Sequence, residues 1–125
     1  LFRSYYHVHK RPHVHELAYF NIGRGFPKEL MDGHWCYVLK DMGYKMLVIP
    51  CTSIKKDSTP ANPLFEKDIK IKTDTHITQC RIQLSDIRSV DIQRLDLRKS
   101  FYEVLTPKEE IIEFVEKNLF DMSSD

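Results

Sequence analysis

The sequence predicts a mainly β domain, a small barrel or half-barrel with one helix appended at its C-terminal end. Three observations carry that prediction. Apolar runs of strand length recur from Leu17 to Leu84, polar or glycine-containing segments separate them, and a helical period is convincing only from Thr106 onward. A length of 125 residues suits one such domain.

Leu17 to Ile22 alternates, with Ala18, Phe20 and Ile22 on one side, and reads as the first strand. Trp35 to Leu39 and Tyr44 to Ile49 are apolar runs joined by Lys40-Asp41-Met42-Gly43, the short polar connection of a hairpin. Asp57 to Pro63 holds two prolines with Ser, Thr and Asn, and reads as a loop. Ile69 and Ile71 alternate with Lys70 and Lys72 in a half-exposed strand, and Ile77 to Leu84 forms another. Thr106-Pro107-Lys108-Glu109 reads as a capping box with Pro at the first helical position. The stripe Ile111, Ile112, Phe114, Val115, Leu119 and Phe120 is then expected to pack on the sheet.

Composition narrows the function classes. Lys plus Arg number 19 against 18 Asp plus Glu, so any site for a polyanion must be local. No apolar run is long enough to span a membrane, and the N-terminus lacks a signal pattern; a soluble protein with no membrane partner is expected. A start at Leu1 rather than Met points to a piece of a longer product. Cys36, Cys51 and Cys80 are odd in number and lack the paired spacings of a zinc or redox motif, so reduced thiols in a cytoplasm are expected.

The chemistry-bearing residues gather at strand ends. Gly33-His34-Trp35 opens one strand and Pro50-Cys51-Thr52-Ser53 closes the next, which sets an imidazole and two hydroxyls at neighbouring strand mouths. Histidine has the side chain that titrates nearest neutrality, and hydroxyls donate to phosphate oxygens, so such a cluster suits a phosphodiester. Two ordinary strand ends would look the same. Lys55 and Lys56 follow, able to guide a nucleic-acid backbone or simply to solvate a loop. Gly23-Arg24-Gly25 with Lys28 suits close approach to a phosphate, or a plain turn. Arg88, in Asp86-Ile87-Arg88-Ser89-Val90-Asp91, reads either as a structural ion pair or as a multidentate phosphate donor. His7, His9, His13 and His15 have the i, i+2 spacing that puts pairs on one strand face. Pro12 interrupts them and no carboxylate or cysteine stands at a familiar spacing, so neither a metal nor another cofactor is assigned.

In their order along the chain, these pieces resemble the MazF/PemK/Kid family of toxin endoribonucleases, over roughly Glu16 to Leu119. Thr52, Ser53, Arg88 and Asp91 stand where that family has its Thr-Ser and Ile-Arg-Thr-Ile-Asp-like segments, and Glu29 falls near the acidic position of its glycine-containing loop. His34-Trp35 stands in place of the usual Arg-Pro, and Ser85-Asp86 in place of the usual Glu-Gln. The resemblance implies an SH3-like barrel of the MazF/CcdB type with a C-terminal helix. Residues 16–125 would form the toxin-like domain behind a histidine-rich arm, residues 1–15.

It also implies a metal-independent endoribonuclease acting on single-stranded RNA, with Thr52, Ser53 and Arg88 as catalytic residues; His34 joins them as a catalytic candidate, and Arg24, Lys28, Lys55 and Lys56 are the candidates to bind RNA. His34 is assigned from its chemistry and position, because the family residue there is arginine. The expected partners are a second copy of the chain and an antitoxin with a disordered acidic tail. Tyr5, Tyr6 and Phe26 are candidates to stack on unpaired bases or to be buried. Two other classes stay open: a catalytically inactive or protein-targeting member of the same fold, resembling the gyrase inhibitor CcdB, and an SH3-like interaction module.

Overall fold

A computed structural model of the chain describes residues 10–23 and 33–120. The readings placed on Tyr5, Tyr6, His7, His9, Arg24, Phe26, Lys28 and Glu29 lie outside those residues. The strands are β1 (Glu16–Asn21), β2 (Gly33–Asp41), β3 (Lys45–Ser53), β4 (Glu66–Lys72), β5 (Ile77–Gln83), β6 (Arg88–Asp91) and β7 (Tyr102–Val104), followed by helix α1 (Lys108–Phe120). β1, β2, β3, β5, β4 and β7 pair in that order, and β7 pairs back onto β1, all antiparallel. The result is a closed six-stranded barrel with a C-terminal helix, the SH3-like architecture expected. Closure removes the exposed edges that would otherwise invite pairing with other chains.

β3 holds the ring together. One edge pairs with β2 from Met46 to Pro50, while the other is shared end to end, by β6 at Lys45 to Val48 and by β5 at Cys51 to Ser53. A proline in mid-strand removes a ladder donor. The Cys51 carbonyl faces β2, where the His34 ring reaches it, so alternation along the strand turns the Pro50 nitrogen to the opposite edge. That edge is unpaired at Pro50, in the gap between β6 and β5, where the 3-10 turn Leu84–Asp86 sits. The missing N–H therefore breaks no bond.

Alternation also sorts two cores. Leu17, Tyr37, Ile49, Cys51, Ile69, Ile71, Cys80, Ile82 and Val104 come from all six ring strands and fill the barrel, and Ile111 and Val115 of α1 join them. The opposite face of β1, β2 and β3 carries Ala18, Phe20, Cys36, Val38, Met46 and Val48, joined by Ile22 just past β1 and covered by Val90, Ile92 and Leu95. Expectation and structure differ at the helix. Ile111 and Val115 are buried, but Leu119 and Phe120 remain 45% and 66% exposed, because the apolar row runs on past the barrel core. Thr106, read as half of a capping box, accepts a hydrogen bond at 2.8 Å from the Lys70 N–H, which ties the start of the helix to β4.

Residues 10–15 pack on β2. Pro12 is fully buried, Arg11 holds Asp41 at 2.6 Å and the Gly43 carbonyl at 2.8 Å, and the His15 N–H donates to Val38 O at 2.9 Å. His15 has a left-handed φ of 72° and places its Nδ1 2.7 Å from the Tyr37 hydroxyl. Burial holds its pKa below the ordinary 6.5, opposed by a hydrogen bond to the Thr106 backbone; Lys108 lowers it further and Glu109 raises it. A depressed value means that the unfolded chain binds the proton more readily. The stability His15 contributes is therefore complete above about pH 6.5 and lost as pH falls through the lowered folded value. The melting temperature is expected to fall between about pH 7 and pH 5, before most carboxylates titrate, and His15→Gln to flatten that slope. An identical slope in the variant would show that His15 does not set it.

Candidate active site

The first ingredient of the site is the register of β1, β2 and β3. Phe20 pairs with His34 and Cys36 with Pro50; two residues beyond that last pair, His34 and Thr52 stand at the adjoining ends of β2 and β3. They line one cleft of about 380 Å³ together with Tyr19, Gly33, Trp35, Cys51, Ser53 and Lys55. Gly33 is needed there because a Cβ would run into the Tyr19 ring. Tyr19 in turn lies edge-on to Trp35, with centroids 5.3 Å apart, and under the Lys99 ammonium at 5.2 Å.

Two of the polar side chains in the cleft, His34 and Thr52, are oriented by hydrogen bonds. The His34 Nδ1 lies 3.4 Å from Cys51 O, and a carbonyl only accepts. A hydrogen bond there needs a proton on Nδ1, and among the described residues none bonds to Nε2, which is then placed to accept one. Thr52 is half-buried and its Oγ1 accepts from Gln83 Nε2 at 3.4 Å, so its own proton is left to donate. Ser53 is exposed on the opposite face of β3, at the rim. Lys55 is fixed at the backbone by reciprocal bonds with Ser58, from Lys55 N to Ser58 Oγ at 2.8 Å and from Ser58 N to Lys55 O at 3.0 Å.

Of the residues singled out in the sequence, His34, Thr52, Ser53 and Lys55 are brought together. Lys56 sits in the exposed turn beyond and does not line the cleft. Arg88 projects from β6 opposite Val48, and its Nη1 donates to Ile22 O at 3.4 Å; it is near Cys36 and not among the lining residues. Asp91 accepts from Gln93 N at 2.9 Å, capping the 3-10 turn Ile92–Arg94. Arg81, opposite Thr52, is buried and clamped by Asp68 at 2.7 Å and Glu66 at 3.9 Å, so it braces β4 against β5. Sequence reasoning missed Gln83 and Tyr19, whose places follow from cross-strand register and from no local motif.

No protein-family model matches this chain, and neither does any curated protein.

Cysteine chemistry is the competing possibility, since Cys51 lines the cleft. Burial raises the Cys51 thiol well above its usual range, with the neighbouring Cys80 adding to the effect, and burial pushes Cys36 up to about 12 against the pull of Arg88. A thiol held neutral is a poor nucleophile. All three free thiols are buried. Near neutral pH, alkylation by iodoacetamide is expected to be far slower than for free cysteine until denaturant is added. A thiol in the native protein reacting as fast as free cysteine would contradict this assignment.

Proposed function

We propose that the chain is an endoribonuclease that cleaves single-stranded RNA by attack of a ribose 2′-hydroxyl on the adjacent phosphorus. One observation carries the reading: His34, whose Nε2 has no partner among the described residues, lines one open cleft with Thr52, Ser53 and Lys55. His34 takes the 2′-hydroxyl proton as the O2′–P bond forms. Thr52 and Ser53 donate to the nonbridging oxygens, and Lys55 balances their growing charge. The P–O5′ bond breaks, the 5′ oxygen takes a proton from solvent, and a 2′,3′-cyclic phosphate is left. No metal enters these steps. The resemblance to toxin endoribonucleases supports the same chemistry, and with it a cytoplasmic homodimer restrained by an antitoxin whose acidic tail folds onto the cleft. No helix among the described residues is long and apolar enough to cross a membrane.

A second reading, binding without cleavage, draws on a specific feature: the side chains of Arg88 and Asp91 are both engaged with main-chain groups. Purified protein incubated with single-stranded RNA in excess EDTA separates the two. Cleavage products ending in 2′,3′-cyclic phosphate and 5′-hydroxyl are expected, with a loss of about 10²–10⁴-fold for His34→Ala and about 10²-fold for Thr52→Val. RNA that is bound and left intact would establish the binding reading, and RNA that is not bound at all would sink both.

A further inference from the structure

A second cleft, of about 410 Å³, opens at the mouth of the barrel and shares Trp35, Cys51, Thr52 and Ser53 with the first. Its volume is that of a small-molecule site. One wall is the Trp35 indole, stacked on Tyr102 with centroids 4.3 Å apart and planes at 24°, and braced edge-on by Tyr19. Tyr102 lines the cleft as well, so the stacked pair makes a preorganised aromatic wall. Leu17 and Ile71 add apolar depth.

Two hydroxyls line the same cleft from the next strands of the ring, Ser53 on β3 and Thr78 on β5. Ser53 pairs with Cys80, so Thr78 lies two residues along β5 on the same face, a diagonal neighbour roughly 7–8 Å away. Neither Ser53 Oγ nor Thr78 Oγ1 has a hydrogen-bond partner among the described residues. Each can donate and accept, as reading the edge of a base requires. Among the described residues, none that lines this cleft is charged, in contrast to the neighbouring one with His34 and Lys55. A phosphate would find no cation among those described residues, whereas a neutral heteroaromatic ring would find a stacking wall and two polar contacts.

We propose that the barrel-mouth cleft receives an unstacked nucleobase of the RNA whose phosphodiester lies in the His34 cleft, with Trp35 stacking on the base and Thr78 reading its edge. The assignment rests on the RNA reading above and adds the source of sequence preference: the base in this cleft is next to the cut.

Trp35 is the single tryptophan of the chain and borders both clefts, so its fluorescence reports binding at either, and dependence on the base distinguishes them. Short single-stranded DNA homopolymers, which lack the attacking hydroxyl, are titrated into the protein beside an abasic strand of equal length. Saturable quenching that depends on the base is expected, with little from the abasic strand. Thr78→Val, checked for folding by circular dichroism, is expected to change affinity for the preferred base by about tenfold and to alter the base favoured next to the cut in a randomised RNA pool. Equal quenching by the abasic strand would overturn the assignment, as would a correctly folded Thr78→Val with wild-type affinity and preference. RNA cleavage with an unaltered preference in Thr78→Val leaves the cleavage reading standing and removes the nucleobase cleft. Base-dependent quenching without any RNA cleavage does the reverse.

Discussion

Everything that positions the candidate site depends on the pairing of β3. A strand in a closed barrel must satisfy its backbone on both edges, and β3 does so with three partners, β2 on one side and β6 then β5 on the other. Pro50 is tolerated because its nitrogen faces the one gap between those partners. The handover at Pro50 fixes the direction of the residues that follow. Thr52 shares the outward face with Pro50, and Ser53 shares the inward face with Cys51. Two hydroxyls adjacent in sequence thus open onto both clefts from opposite sides of one strand end.

That division explains why the two clefts differ in chemistry. The His34 cleft carries an imidazole and an ammonium group, and the barrel-mouth cleft carries aromatic rings and uncharged hydroxyls. A nucleotide divides the same way, into an anionic phosphodiester and a neutral ring. The Tyr19–Trp35–Tyr102 cluster stands between the two clefts, and Gly33 gives Tyr19 the room to lie there.

Much of the fold was legible in the sequence. The alternation at Leu17 to Ile22, the hairpin around Lys40 to Gly43 and the loop from Asp57 to Pro63 rest on local periodicity and turn chemistry, and all three recur in the structure. β6 and β7 were harder to see, because strands of four and three residues are too short to show a period. The meeting of His34 with Thr52 and Ser53 was readable because both strand ends flank one hairpin. Gln83 and Thr78 were not, because their approach depends on β5 pairing with β3 across a long loop. For Arg88 the sequence left a structural and a phosphate-binding role side by side, and its reach to the Ile22 carbonyl is a tertiary contact that no local pattern encodes.

The central claim is that RNA sits across the ends of β2 and β3. The most direct measurement is an amide NMR titration of the isotope-labelled chain with a short single-stranded RNA whose 2′-hydroxyls are methylated, so that it binds without being cut. The account predicts the largest saturable shifts at His34, Trp35, Cys51, Thr52, Ser53 and Lys55. Shifts concentrated instead on the groove between α1 and β4, around Lys67, Glu110 and Lys117, or no shifts at all, would contradict it.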